Sequence, residues 1–92
     1  MKRRSKIEIY IHILDVAKHG LRSTHIANRA NISYAQFQSC VNVLIEKELL
    51  KLDGNKLYET TSKGRSLLEH WNEILDILGE EEPIYVESSS FY

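Results

Sequence analysis

A side-chain carboxamide carries a donor and an acceptor on one plane, which matches the edge of adenine with two hydrogen bonds. Gln36 and Asn42 carry that group, and the Ser39 hydroxyl between them can bond either way. The three share one side of any helix drawn through them at 100° per residue, with Tyr34 and Gln38 at its flank. A helix with such a row fits the major groove of duplex DNA. No Arg or Lys projects from this stretch, so strong guanine reading is not expected. The same residue types also suit a neutral, solvated helix face, and that reading stays open.

Cations tell more through their distribution than through their total. The chain of 92 residues has a formal net charge of −1. All twelve Lys and Arg fall within residues 1–66, where they meet six acids, a balance of +6. Residues 67–92 hold seven acids and no Lys or Arg, a balance of −7. A basic part of this kind suits a polyanion, although small proteins also segregate charge by chance. The expected phosphate contacts are Arg3, Arg4 and Lys6 in a basic arm, Arg22, Thr24 and Arg29 around a second helix, Ser33 at a helix start, and Asn55 and Lys56 at a hairpin tip. Each is equally well read alone as a solvated surface group.

Enzymatic chemistry has little to stand on. His12, His19, His25 and His70 are scattered, and His12 and His19 are two helical turns apart with no third ligand nearby in sequence. Cys40 has no base placed beside it and reads as a small, half-buried residue. There is no glycine-rich phosphate loop and no paired carboxylates, so no catalytic residue, metal, cofactor or small-molecule ligand is expected.

The elements that must position these groups follow from caps and periodicity. Ser5-Lys6-Ile7-Glu8 has the capping-box form, so a helix starts near Lys6. The isoleucines that follow alternate like a strand, but the cap and the stop at His19-Gly20 favour a helix. That helix has two apolar faces, one with Ile7, Tyr10, Ile11 and Leu14, the other with Ile9, Ile13 and Val16. Both need cover, and the second requires another element or another chain. A short helix spans about Ser23 to Ala30, Asn31-Ile32 makes a turn, and Ser33 caps a helix from Tyr34 to about Lys47. Its core stripe is Phe37, Val41, Leu44 and Ile45, with Tyr34 on the same side. Two helices joined by a tight polar turn form a helix-turn-helix.

Past Glu48 the period changes to that of strands. Leu50-Lys51-Leu52 and Leu57-Tyr58-Glu59 flank Asp53-Gly54-Asn55-Lys56, a hairpin signal. Thr60, Thr61 or Ser62 then caps a last helix that Gly79 stops. Leu67, Trp71, Ile74 and Leu78 have the spacing of a short coiled-coil seam. With Ile9 and Ile13 they form the expected dimer interface. The competing arrangement folds the last helix back onto the first within one chain. Residues 79–92 read as an acidic, weakly ordered tail, in which Ile84-Tyr85-Val86 could dock as a strand.

The ordered set of motifs resembles a family. Lys6-Ile7-Glu8-Ile9, Ile13-Leu14, Gly20, Thr24-x-Ile26, Asn31-Ile32-Ser33-Tyr34, Leu44, Leu49-Leu50 and Tyr58-x-x-Thr61-x-Lys63-Gly64-x-x-Leu67-Leu68 carry the likeness over about residues 5–78. Together they resemble the archaeal winged-helix family that includes small chromatin-associated DNA-binding proteins with a C-terminal coiled-coil helix. The resemblance implies a double-stranded DNA binder that dimerises through an antiparallel pair of last helices. The chain departs from that pattern in a last helix of about two heptads instead of a long rod. It also has Cys40 where a bulkier aromatic is common, and a tail without a counterpart.

The resulting expectation is a mainly α fold with a small β-hairpin, a winged helix-turn-helix plus a C-terminal dimerisation helix. Residues 1–5 form the arm, 6–61 the winged-helix domain, 62–78 the dimerisation helix and 79–92 the tail. A cytoplasmic, non-enzymatic homodimer that binds duplex DNA as transcription regulator or chromatin protein fits best. The alternative is a winged helix used as a protein-binding module in the transcription apparatus. No run of sequence is long and apolar enough for a membrane span, and the lone cysteine fits a reducing compartment.

Overall fold

Ser5 starts the chain's first helix with reciprocal hydrogen bonds. Its Oγ accepts from the Glu8 N–H at 3.2 Å, and the Glu8 carboxylate accepts from the Ser5 N–H at 2.6 Å. These bonds satisfy donors that a helix start leaves unpaired, and a cap of this kind stabilises by about 1 kcal/mol. The computed structural model describes residues 5–79, in the order α1 (Lys6–Val16), α2 (Ser23–Ala30), α3 (Tyr34–Glu46), β1 (Leu50–Leu52), β2 (Tyr58–Thr60) and α4 (Ser62–Leu78). The isoleucine alternation in α1 is therefore resolved as helix.

The local signals act at the expected places. Asn31 takes the left-handed backbone at φ 58° and ends α2, a conformation Asn tolerates better than most residues. Ser33 caps α3 through the Gln36 N–H at 3.1 Å. Thr61 caps α4 through the Gly64 N–H at 3.1 Å, and Gly79 closes α4 at φ 81°. β1 and β2 pair antiparallel with Leu50 opposite Thr60 and Leu52 opposite Tyr58. The second strand thus lies one residue later than the sequence suggests.

The sheet also has a short third member. Leu21 and Tyr58 exchange two backbone hydrogen bonds, 3.0 and 2.8 Å long. A single bridging residue has no period, so sequence alone gives no sign of it. Thr60 ties the hairpin to the helices: its N–H donates to the Ala17 carbonyl at 3.1 Å and its hydroxyl to the Leu14 carbonyl at 2.6 Å.

One apolar core joins the helices and the hairpin. Ile9, Ile11, Ile13, Leu14, Ile26, Phe37, Val41, Leu44, Leu50 and Leu68 are buried in it. α4 packs on α1, and Leu67 and Trp71 cover the same core in part. This arrangement corrects the expectation that Ile9 and Ile13 meet a second chain. Ile13 is 0% exposed and Ile9 7%, because the fold of one chain already covers both faces of α1. Ile45 also departs from the expected core stripe of α3 and is exposed, as is Tyr34. Among the described residues, no helix is long and apolar enough to cross a membrane.

Candidate nucleic-acid interface

α3 offers the row that sequence predicts. Gln36, Ser39 and Asn42 are all exposed, while Phe37, Cys40, Val41 and Leu44 on the other side are buried. The core stripe therefore fixes the rotation of the helix and leaves the carboxamides facing solvent. At the flank, the Gln38 amide donates to the Tyr34 hydroxyl at 3.0 Å. That bond organises the first two turns but occupies one of Gln38's donors. Ser33 Oγ accepts from the backbone as the cap, which leaves its hydroxyl proton for another acceptor.

Aromatic packing ties the start of α3 to the wing. Phe37 lies 5.9 Å from Tyr34 between ring centroids and 5.4 Å from Tyr58, the latter edge to face at 89°. Tyr58 belongs to β2, so one buried ring positions both the polar helix and the hairpin.

The wing tip is built around Asp53. Its carboxylate accepts from the Asn55 N–H at 2.8 Å and the Leu57 N–H at 3.0 Å. The Asp53 carbonyl accepts from the Lys56 N–H at 3.2 Å, and Lys56 takes a left-handed φ of 66°. This is a four-residue turn whose last residue is left-handed, a common way to close a three-residue hairpin loop. Glycine usually fills the last position, but here it falls to Lys56. Asp53 is thus turned onto the loop's own N–H groups, and exposed Lys56 carries the positive charge of the tip.

Arg22, Thr24 and Arg29 are exposed on and beside α2. Arg22 stands at the N-cap, with no side-chain hydrogen bond capping the helix. The first N–H groups of α2 therefore receive no capping acceptor from the Arg22 side chain, a favourable condition for a phosphate. Lys6 is exposed in the first turn of α1, whereas Arg3 and Arg4 lie outside the described residues. Not every cation remains free for an anion. The Arg65 guanidinium donates to the Lys18 carbonyl, Lys63 Nζ donates to the Lys47 carbonyl at 3.1 Å, and Lys18 pairs with Asp15 at 3.2 Å.

The expected dimer residues divide. Ile9 and Ile13 are buried and Leu67 and Trp71 are half-buried in the protomer, while Ile74 and Leu78 are exposed. Ile77, absent from the expected seam, is 84% exposed. The Trp71 indole nitrogen is buried, with no hydrogen-bond partner among the described residues.

Catalytic features are sparse. Among the described residues, no group of three or more His, Cys, Asp or Glu could hold a metal ion. Burial pushes the Cys40 thiol up from its ordinary range, while nearby Lys6 works in the other direction. A thiol held protonated is a poor nucleophile.

Comparison with known proteins agrees with this architecture. The chain aligns over 96% of its length with Sso10a-2, described as a DNA-binding protein from Sulfolobus solfataricus, at 25% identity, covering 93% of that chain with a TM-score of 0.70. It also aligns with a protein of unknown function from Listeria innocua Clip11262, at 18% identity and a TM-score of 0.65, covering 90% of this chain and 66% of that one. No curated protein is detectably similar in sequence. Residues 3–79 match the winged helix-turn-helix family, and the chain belongs to that family.

Proposed function

We propose that this chain binds double-stranded DNA as a dimer, with α3 in the major groove and the wing tip on the backbone, as a transcription regulator or chromatin protein. The observation that carries the reading is the exposed row Gln36, Ser39 and Asn42 on a capped, rigidly packed α3. The DNA-binding description of the Sulfolobus protein supports it. Gln36 and Asn42 read base edges, Tyr34, Gln38 and Ser39 flank them, and Lys6, Arg22, Thr24, Arg29, Ser33, Asn55 and Lys56 hold phosphates. Arg3 and Arg4 extend the cationic surface from the arm.

The dimer forms through the exposed end of α4, where Ile74, Ile77 and Leu78 are 47%, 84% and 68% exposed among the described residues. The two helices run antiparallel about a two-fold axis, the symmetry most common in homodimers. Titrating labelled duplex DNA of random and of selected sequence tests the whole reading. Binding to duplex that weakens steeply with salt supports it; retention of that binding after Ala replaces Gln36 and Asn42 together, with unchanged sequence preference, removes base reading from it.

A further inference from the structure

α2 carries a line of basic side chains on its outer face. His25 stands three residues after Arg22 and four before Arg29, spacing that sets the three one above another on one side of the helix. All three are exposed, while Ile26, Ala27 and Ala30 on the other side are buried. The helix has no acid of its own. Among the described residues, neither guanidinium is in an ion pair. Cations at these spacings repel one another on a bare helix, and phosphates laid along them turn that repulsion into attraction.

We propose that His25 is a further phosphate contact of this protein, and that its ring takes up a proton when a DNA backbone lies along Arg22, His25 and Arg29. The inference rests on the DNA-binding reading above and is independent of the dimer. The four histidines differ in their surroundings. His12 is buried, and His70 sits against the Glu73 carboxylate at 3.1 Å. His19 is exposed in the turn after α1, away from the line on α2. A ring beside a carboxylate already has a counter-charge, whereas one between two guanidiniums gains one only when an anion arrives.

The helices packed on α2 are α1 and α3. They meet its buried side, so His25 is turned away from both. The titratable groups of α1 are Lys6, Glu8, Tyr10, His12 and Asp15. Of its two acids, Glu8 is buried and bonded to the Ser5 N–H, and Asp15 pairs with Lys18. α3 carries Tyr34, Cys40 and, as its last residue, Glu46.

Histidine is the side chain whose charge ordinarily changes between about pH 5 and 8. A phosphate favours the charged ring, so the bound chain keeps the proton to higher pH than the free chain does. The gain in affinity is therefore full below the ordinary histidine range. It is lost as pH rises through the range in which the bound ring gives up its proton.

The test titrates the full chain with labelled generic duplex DNA at a fixed, low ionic strength, as wild type, His25→Gln and His25→Lys. Because His25 is exposed, both variants are expected to fold as the wild type does. The wild type is expected to bind about fivefold more tightly at about pH 5.5 than at about pH 7.5. His25→Gln is expected to keep less than about a twofold dependence over that interval. His25→Lys, a permanent cation, is expected to bind at about pH 7.5 as tightly as the wild type does at about pH 5.5. NMR of the His25 ring is expected to show it protonated to higher pH on duplex than in the free chain. A ring whose titration duplex leaves unmoved, or a pH dependence that survives in His25→Gln, overturns the inference and leaves DNA binding in place. Failure to bind duplex at any of these pH values removes the DNA-binding reading, and this inference with it.

Discussion

Gly64 occupies a place with no room for a methyl group. A Cβ there would lie 2.6 Å from Thr60 Cγ2 and closer still to the Leu49 carbonyl oxygen. Alanine ordinarily favours a helix over glycine by about 1 kcal/mol. Here overpacking reverses the sign, and Gly64→Ala is expected to destabilise by about 1–3 kcal/mol in urea unfolding. Lys56 presents the opposite case. Its left-handed backbone suits glycine, so Lys56→Gly is expected to raise stability by up to about 1 kcal/mol while weakening DNA binding and lowering the salt slope by about 1. Stability and affinity moving in opposite directions would separate a phosphate contact from a folding role. Cys40 gives a third expectation. Its buried thiol, with its pKa raised, should react with a disulfide reagent much more slowly in the native chain than in the unfolded one. The unfolded chain ionises this thiol first as pH rises. The group's contribution to stability is therefore full below the ordinary thiol range and declines above it, as pH-dependent unfolding would show.

Caps, turns and polar rows were legible in sequence because each depends on near neighbours. Ser5, Asn31, Ser33, Thr61 and Gly79 all act within a few residues of their partners. The row on α3 was legible for the same reason, since the apolar stripe fixes what faces outward. Contacts between distant residues were not. The Leu21–Tyr58 bridge, the Thr60 bond to Leu14 and the Arg65 bond to Lys18 join segments tens of residues apart. The partner of α1's second face also required the fold. Two apolar faces signal two covers, but periodicity does not distinguish α4 of the same chain from a second copy. The seam proposed for dimerisation is consequently shorter, limited to the exposed Ile74, Ile77 and Leu78. Replacing Ile74 and Leu78 together with Asp is expected to yield monomers in sedimentation while leaving the buried core intact, because both side chains are exposed. Unfolding of the double variant, rather than dissociation, would move these residues into the protomer's own packing.

At the scale of the molecule, charge segregation gains meaning from where the helices lie. The cation-rich residues 1–66 contain the polar row of α3 and the wing, while the net negative residues 67–92 contain most of α4 and the tail. A polyanion approaching α3 therefore meets the part of the chain with the +6 balance. Two such surfaces in a dimer would engage half-sites about 34 Å apart if both α3 helices enter the same face of the duplex. The direct measurement is the affinity of the wild-type chain for generic duplex DNA across a salt series. The account predicts that log K falls linearly with log salt, with a slope steep enough for several neutralised phosphates. A flat dependence, or no binding at low salt, would contradict it.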